Sequence, residues 1–257
     1  MNINILAIGD VAGPAGMEIL TGKLRGIKKL YNVAFTVANG ENAAGLGITR
    51  DQAGELYAAG VDVITLGNHT WGRLEITTFL DDSMYIFRPS NFAPQVPGRG
   101  WGVFETSFGE ICVINLIGRA GMNSEYENPF FEADRILKMV ETRIILVDFH
   151  AELTSEKQAM AYYLDGRVSA VWGTHTHVQT SDSRVMQNGT GYITDLGMTG
   201  AIESVIGMKA DQPIRRFLGN PPGRFEPASG PAKIEGAVFE IDSETGKCIS
   251  VEGIRVL

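Results

Sequence analysis

Five apolar runs in the chain stop at residues that can bind metals or carry protons. NILAIG ends at Asp10, TVANG at Glu41 and Asn42, ITLG at Asn68 and His69, IILVDF at His150, and AVWGT at His175 and His177. The sequence holds only four histidines, and all four fall at these ends. Taken singly, each has an ordinary reading. An Asp after a strand is commonly a turn or a helix cap, Asn-Gly is a turn signal, and one histidine can be a satisfied core residue. The His175-Thr176-His177 pair carries more weight, because residues two apart on a strand face the same way and neutral imidazole is the commonest metal-binding side chain. Three imidazoles, two carboxylates and two amide oxygens suit borderline-to-hard ions such as Fe, Mn or Zn, and the absence of Cys from the set argues against a structural zinc knuckle. Seven candidate ligands exceed one open site and fit two ions sharing a bridging carboxylate. Such a pair, about 3.5–4 Å apart, can activate a bridging hydroxide and clamp the entering and leaving oxygens of a phosphoryl displacement.

The elements that must position these residues alternate along the chain. NILAIGD reads as a buried strand, followed by a helix from about Pro14, with Met17, Leu20, Leu24, Ile27 and Tyr31 at helical spacing. Strands at 33–42 and 61–69 each run into a Gly turn, with helices expected near 50–59 and 73–81. Residues 102–119 read as a hairpin, then a helix near 128–140 precedes a strand at 143–150. Ser155 and Gln158 fit a capping box for the next helix, before a strand at 168–177. The remainder reads as antiparallel strand, interrupted by a helix near 211–218 and a Pro/Gly-rich loop at 219–231. Strands alternating with helices, then a mostly β second half, predict an α/β fold: a two-sheet mixed β-sandwich flanked by helices, spanning 1–257 as a single domain. Ligands of α/β sheets bind outside the carboxyl ends of strands, so the five ends can converge on one crevice.

Composition narrows the partners. With 22 basic and 30 acidic side chains the net charge is −8, which argues against a broad surface for duplex nucleic acid. It leaves small phosphate esters open, since bound cations supply positive charge locally. No apolar stretch approaches the roughly 20 residues of a membrane span, and the N-terminus lacks the pattern of a signal peptide. Cys112 and Cys248 have no paired spacing and read as reduced, buried thiols of a cytoplasmic protein. An amidohydrolase barrel also uses His-x-His at a strand end, but near its first strand rather than after residue 174.

Taken in order, GD(10), NGEN(39–42), GNH(67–69), His150 and GTHTH(173–177) resemble the calcineurin-like metallophosphoesterase superfamily, with its pattern GD-x-H, GD-x-x-D, GNH-[DE], a lone His and GH-x-H. The segments IGDV, NGENAA, LGNHTW, VDFHAE, GTHTHVQT and ITDLGMTG are similar, more closely, to the bacterial YmdB-like cyclic-nucleotide phosphodiesterases. The resemblance implies the metallophosphoesterase αββα fold and two divalent metal ions, with Fe or Mn favoured and Zn or Mg as alternatives. It places Asp10, Glu41, Asn42 and His177 on the first ion and Glu41, Asn68, His150 and His175 on the second. His69 becomes the general acid that protonates the leaving oxygen after a metal-bridging hydroxide attacks phosphorus. Three positions depart from the wider pattern: Ala12 stands where a ligand His is usual, Glu41 replaces the bridging Asp, and Thr70 follows His69 in place of a carboxylate. Asp148 shares a strand face with His150 and is expected either to support it or to be solvated at the core edge. Arg88 and Arg119 are candidate phosphate contacts, because guanidinium binds phosphate in a bidentate manner. The implied substrates are 2',3'-cyclic nucleotides, with 3',5'-cyclic ones as a further class, and the implied assembly is a homo-oligomer. The alternatives are a metal-dependent phosphomonoesterase and a regulatory RNA- or protein-binding module that retains the metal site.

Overall fold

The computed structural model describes residues 1–122, 125–221 and 223–257. Along the first half, β1 (Asn2–Ile8) leads through β2 (Asp10–Val11) to α1 (Gly13–Leu30), β3 (Val33–Asn39), α2 (Arg50–Ala59), β4 (Val63–Thr65), a 3-10 turn at Thr70–Gly72, α3 (Ile76–Asp82) and β5 (Ile86–Phe87). Helix α1 starts at a Pro in its first turn and buries Met17, Leu20, Leu24 and Ile27, as the spacing predicts. The helix expected near 73–81 forms as α3, which begins only at Ile76, after a separate 3-10 turn at Thr70–Gly72.

The hairpin forms from β6 (Trp101–Thr106) and β7 (Gly109–Ile117). It is followed by α4 (Pro129–Leu137), β8 (Ile144–His150), α5 (Thr154–Leu164), β9 (Ala170–Thr174), β10 (Arg184–Val185), β11 (Gly191–Ile193), β12 (Met198–Ala201), α6 (Asp211–Phe217), β13 (Ala232–Asp242) and β14 (Cys248–Val256).

Two sheets result. One runs β2-β12-β13-β1-β3-β4-β5 with β14 on β13, and the other runs β10-β11-β9-β8-β7-β6. Strands β1, β3 and β4 are mutually parallel, as are β7, β8 and β9, so within each sheet their carboxyl ends share one edge. Adjacent residues divide between layers. Ile5, Val113, Leu146 and Trp172 fill the space between the sheets. Leu6 packs outward in the cluster that holds Leu20 and Leu24 of α1, and Ile114 and Val147 pack outward with Ile136 of α4 and Met160 of α5. Strands buried on both faces explain the near-continuous apolar runs of the sequence. The layering is helix, sheet, sheet, helix. No helix among the described residues is long and apolar enough to cross a membrane.

Two local expectations are corrected. The second half is not wholly antiparallel: β11 pairs parallel with β9, and β12 parallel with β2. That last pairing fixes Asp10 opposite Met198 in register. The capping box at Ser155 and Gln158 does not form, because α5 already begins at Thr154 and has no side-chain cap. Glu156, in its first turn, instead accepts the backbone N–H groups of Arg119 and Ala120 at 3.0 and 3.2 Å. A reciprocal box does form between Thr49 and Gln52 at the start of α2.

Candidate metal centre

The carboxyl ends of β1, β3, β4, β8 and β9 bring Asp10, Glu41, Asn42, Asn68, His69, His150, His175 and His177 together. Glu41 lies between the two halves of the cluster. Its Oε2 accepts the His69 backbone N–H at 2.9 Å, and its Oε1 lies 3.1 Å from His150 Nε2. Asp10 accepts the His175 backbone N–H on Oδ2 at 3.1 Å, and its Oδ1 is 3.5 Å from His177 Nε2. Glu41, His150 and His175 each offer a ligand atom within 4.8 Å of the others.

The outward nitrogen of each ring is held by an acceptor. His177 Nδ1 donates to the Ile206 carbonyl at 2.9 Å, and His175 Nε2 donates to Glu152 Oε2 at 2.9 Å. For His150 the acceptor is one step removed. Asp148 Oδ1 accepts from the Thr174 hydroxyl at 2.7 Å, so Thr174 Oγ1 in turn accepts from His150 Nδ1 at 2.9 Å. Asp148 also accepts from the Thr65 hydroxyl, and burial pushes its carboxyl up to about 6 against those two hydroxyl bonds and the nearby charge of His150. In the neutral rings, His150 Nε2, His175 Nδ1 and His177 Nε2 therefore present lone pairs to the cluster. Metal-binding histidines are typically arranged in this way.

The polypeptide around the pair is constrained. His175 and His177 both adopt positive φ, at 102° and 63°, a conformation that costs about 1–3 kcal/mol for a residue with a side chain. Thr176 between them is gripped by Asp195, which accepts its N–H at 3.2 Å and its hydroxyl at 2.7 Å. Asp195 is in turn paired with the buried Lys157 at 2.6 Å.

Electrostatics follow the same geometry. Burial disfavours charge on His177, but Asp10 and the Ile206 carbonyl outweigh it and hold the imidazolium up to about 9. Burial and the neighbouring His150 push His175 down to about 4. Glu41 is held well below the usual carboxylate range because His150 and His69 overcome its burial, and Asp10 is lowered by His177 in the same way.

These residues fit divalent cations. Asp10 Oδ1 is buried without a hydrogen-bond partner. Asn68 Oδ1 approaches His150 Nε2 to 2.9 Å, and with the proton on Nδ1 these are two acceptors facing each other. A cation between them removes that conflict, and its binding displaces the ring protons. Asn42 is placed with its carbonyl oxygen 3.2 Å from His69 Nδ1 and its amide nitrogen 3.2 Å from His177 Nε2. To hold an ion beside His177 its amide must turn over, exchanging the two contacts.

His69 is the one histidine on the rim. Its side chain is 37% exposed and lines a cavity of about 290 Å³ with Glu41, Asn42, Glu152, His175 and His177. With Thr70 in place of a carboxylate, Glu41 positions His69, through the backbone bond and an Oε1 to Nδ1 distance of 3.6 Å.

The two arginines differ. Arg88 is buried and wrapped by the carbonyls of Pro89, Ser90, Val96 and Pro97, so it is a structural cation and not a phosphate contact. Arg119 is exposed just past β7, where Gly118 donates to the His150 carbonyl, and it makes no ion pair among the described residues.

Sequence reasoning misses Glu152, Thr174, Lys157 and Asp195 as parts of the site. A signal exists for two of them. Glu152 stands two residues beyond His150 at the same strand end, and Lys157 lies on the stripe of α5 that also buries Met160, Ala161 and Leu164.

Parallel strands of two stacked sheets ending in carboxylates, amides and imidazoles define a metallophosphoesterase-like protein. A Staphylococcus aureus chain solved as a candidate 5'-nucleotidase shares this fold, with a TM-score of 0.67 and 16% identity over 100% of this chain and 55% of that one. More specifically, the chain belongs to the YmdB-like protein family, which matches residues 6–254. It is 44% identical to the 2',3'-cyclic-nucleotide 2'-phosphodiesterase of Bacillus subtilis (strain 168), over 99% of this chain and 97% of that protein. A solved phosphatase from Mycoplasma pneumoniae superposes with a TM-score of 0.94 at 36% identity, covering 100% of this chain and 94% of that one. The metallophosphoesterase-like family implies divalent metals.

Proposed function

We propose that the protein is a metal-dependent phosphodiesterase hydrolysing 2',3'-cyclic nucleotides, with 3',5'-cyclic nucleotides as further substrates. The observation that carries this reading is the set of three histidines whose outward nitrogens are all held by acceptors while their inward nitrogens face two buried carboxylates. The Bacillus subtilis relative supports the substrate class. Asp10, Glu41, Asn42 and His177 would hold one ion, and Glu41, Asn68, His150 and His175 the other, with Fe or Mn favoured by this oxygen- and imidazole-rich set. When bound, such a pair supplies Lewis-acid charge for the phosphoryl oxygens and an activated water nucleophile.

The chain's own residues do the rest. Glu152, Thr174 and the Ile206 carbonyl hold the rings in the tautomers that leave ligand nitrogens free. Glu41 fixes the backbone of His69, so that its ring stays on the rim of the cavity where the leaving oxygen departs. Water's oxygen bonds to phosphorus, the P–O2' bond breaks, and O2' leaves as a hydroxyl with a proton from His69; the proton that the water gives up passes to solvent, from which His69 is reprotonated. Imidazole suits this role as a side-chain type because it exchanges protons near neutral pH. We further read the protein as a cytoplasmic homo-oligomer, in keeping with two free, buried cysteines.

The test is steady-state hydrolysis of 2',3'-cyclic AMP by protein stripped and reloaded with Mn²⁺ or Fe²⁺, beside an aryl phosphomonoester. His69→Ala should lower kcat by about 10²–10⁴-fold with metal content retained. Asn68→Ala should lose both activity and metal affinity. Absence of cyclic-diester turnover with both ions bound, or faster turnover of the monoester, overturns the reading.

A further inference from the structure

The catalytic cavity does not end at His69. Leu46 and Met208 line both the 290 Å³ cavity and a second one of about 650 Å³. From His69 the chain runs through the turn at Thr70–Gly72 directly to Arg73 on the wall of the second cavity. Its other wall is formed by residues 223–227, among them Arg224 and Phe225. Those two residues also line a third cavity of about 350 Å³ that contains Arg215 and Arg216 of α6.

Charge along this groove opposes that of the whole chain. Glu226 is matched by Lys209 at 2.5 Å, and Asp211 by Arg215 at 3.6 Å. Arg73, Arg216 and Arg224 make no ion pair among the described residues. Arg73 donates from one guanidinium nitrogen to the Ala44 carbonyl at 3.0 Å. The Arg216 guanidinium lies 5.8 Å from the centre of the Phe225 ring. A protein of net charge −8 thus presents unpaired arginines and an aromatic ring along one groove that opens from its candidate active site.

We propose that the site takes RNA 3' ends that terminate in a 2',3'-cyclic phosphate, with the nucleotides 5' to the terminal one lying in this groove and their phosphates against Arg73 and Arg224. The proposal rests on the cyclic-phosphodiesterase reading and extends its substrate class from mononucleotides to oligonucleotides. The chemistry of recognition is that of single-strand sites, in which cations track the backbone and an aromatic face stacks a base. The catalytic cavity alone is at the lower end of the volume of a ligand site, whereas its neighbour is large enough to hold a further nucleotide. The bond cleaved is unchanged: P–O2' breaks, water supplies the new P–O bond, and the oligonucleotide leaves as a 3'-phosphomonoester.

The experiment compares kcat/KM for 2',3'-cyclic AMP and for a tetra-adenylate ending in a 2',3'-cyclic phosphate, with the metal-loaded full chain. The tetranucleotide should be favoured by about tenfold or more, and the preference should shrink as salt rises. Arg73→Ala and Arg224→Ala, both at exposed positions, should each lower the ratio of the two kcat/KM values toward one. The salt dependence of that ratio should flatten by about 0.7 in log–log slope for each phosphate that a substitution leaves without its arginine. A wild-type ratio at or below one overturns the proposal while leaving the mononucleotide reading standing. So does a ratio that the substitutions leave unchanged because both rates fall together. Turnover of neither substrate removes the phosphodiesterase reading itself, and this proposal with it.

Discussion

Gly67→Ala is the smallest change that should disable the metal centre. Gly67 is the residue before Asn68, and a Cβ built on it would stand 2.3 Å from His150 Nε2 and 2.5 Å from Glu41 Oε2. Its φ lies outside the left-handed region, so an alanine is not strained by its own backbone. The cost is all in the contact. Ordinary separation begins at 3.4 Å, so the His150 ring or the Glu41 carboxylate must retreat by about 1 Å. Metal–ligand distances tolerate only about 0.2 Å. Displacement of an active-site group by about 1 Å can cost roughly 10²-fold in rate, and that is the expected fall in kcat/KM, with loss of bound metal. The added methyl should cost about 1–3 kcal/mol of stability as overpacking. Gly54→Ala serves as the control: Gly54 is in α2 with nothing within 4 Å of its Cβ, so this change should add about 0.5–1 kcal/mol and leave activity alone. The assays are elemental analysis after reloading, 2',3'-cyclic AMP turnover and urea unfolding. If Gly67→Ala binds its full complement of metal and keeps kcat/KM within about threefold of wild type, the close packing of backbone against ligands is not what shapes the site.

Two further outcomes follow from buried groups. Lys157→Met should destabilise the protein by about 3–5 kcal/mol in urea titration, because it leaves Asp195 buried without its cation. Pairing it with Asp195→Leu should not recover the loss, since the Thr176 N–H and hydroxyl would then lack their acceptor; full recovery would show that the pair does not hold the His175–His177 turn. Burial pushes the thiols of Cys112 and Cys248 each up to about 12. At pH 8 only about one in 10⁴ would be thiolate, so a disulfide reagent should modify neither until urea unfolds the chain and then titrate both, and rapid native-state reaction would refute this.

The parts of the site legible in the sequence are those encoded locally. An apolar run that stops at a polar residue names both a strand and the residue it delivers, and that logic finds Asp10 and Asn68, each after a Gly, and His150, directly after IILVDF, without knowledge of the sheet order. What it cannot find depends on which strands lie side by side. His150 faces Thr174 in the β8–β9 register, and Asp148 faces Trp172. The relay from His150 through Thr174 to Asp148 exists only because of that alignment, which leaves no local trace. Asp195 reaches Thr176 from a different strand end for the same reason. Arg88 fails in the opposite direction. In FRPSN it reads as a candidate phosphate contact, but the Pro-rich loop at 88–100 leaves carbonyls without helical or strand partners, and an arginine with five donors satisfies several of them at once. The signal is the number of prolines and glycines, not the arginine.

Strain is distributed across the fold in a way that keeps the ligand set in place. Two histidines at positive φ and two carboxylates sealed from water are each unfavourable, and a loop on its own would relax away from all four. They persist because each is tied to buried elements of the fold. Asp10 is anchored by β2 beside β12, and Glu41 by its position after β3. The His175–His177 turn is tied to α5 through Asp195 and Lys157, and the His150 ring to β9 through Thr174. A displacement that frees one ligand therefore has to disturb a strand pairing or the Lys157–Asp195 pair, both of which are buried. The same elements leave His69 and the groove beyond it at the surface, so the residues that meet the substrate lie on the less constrained rim while the ligand set stays fixed.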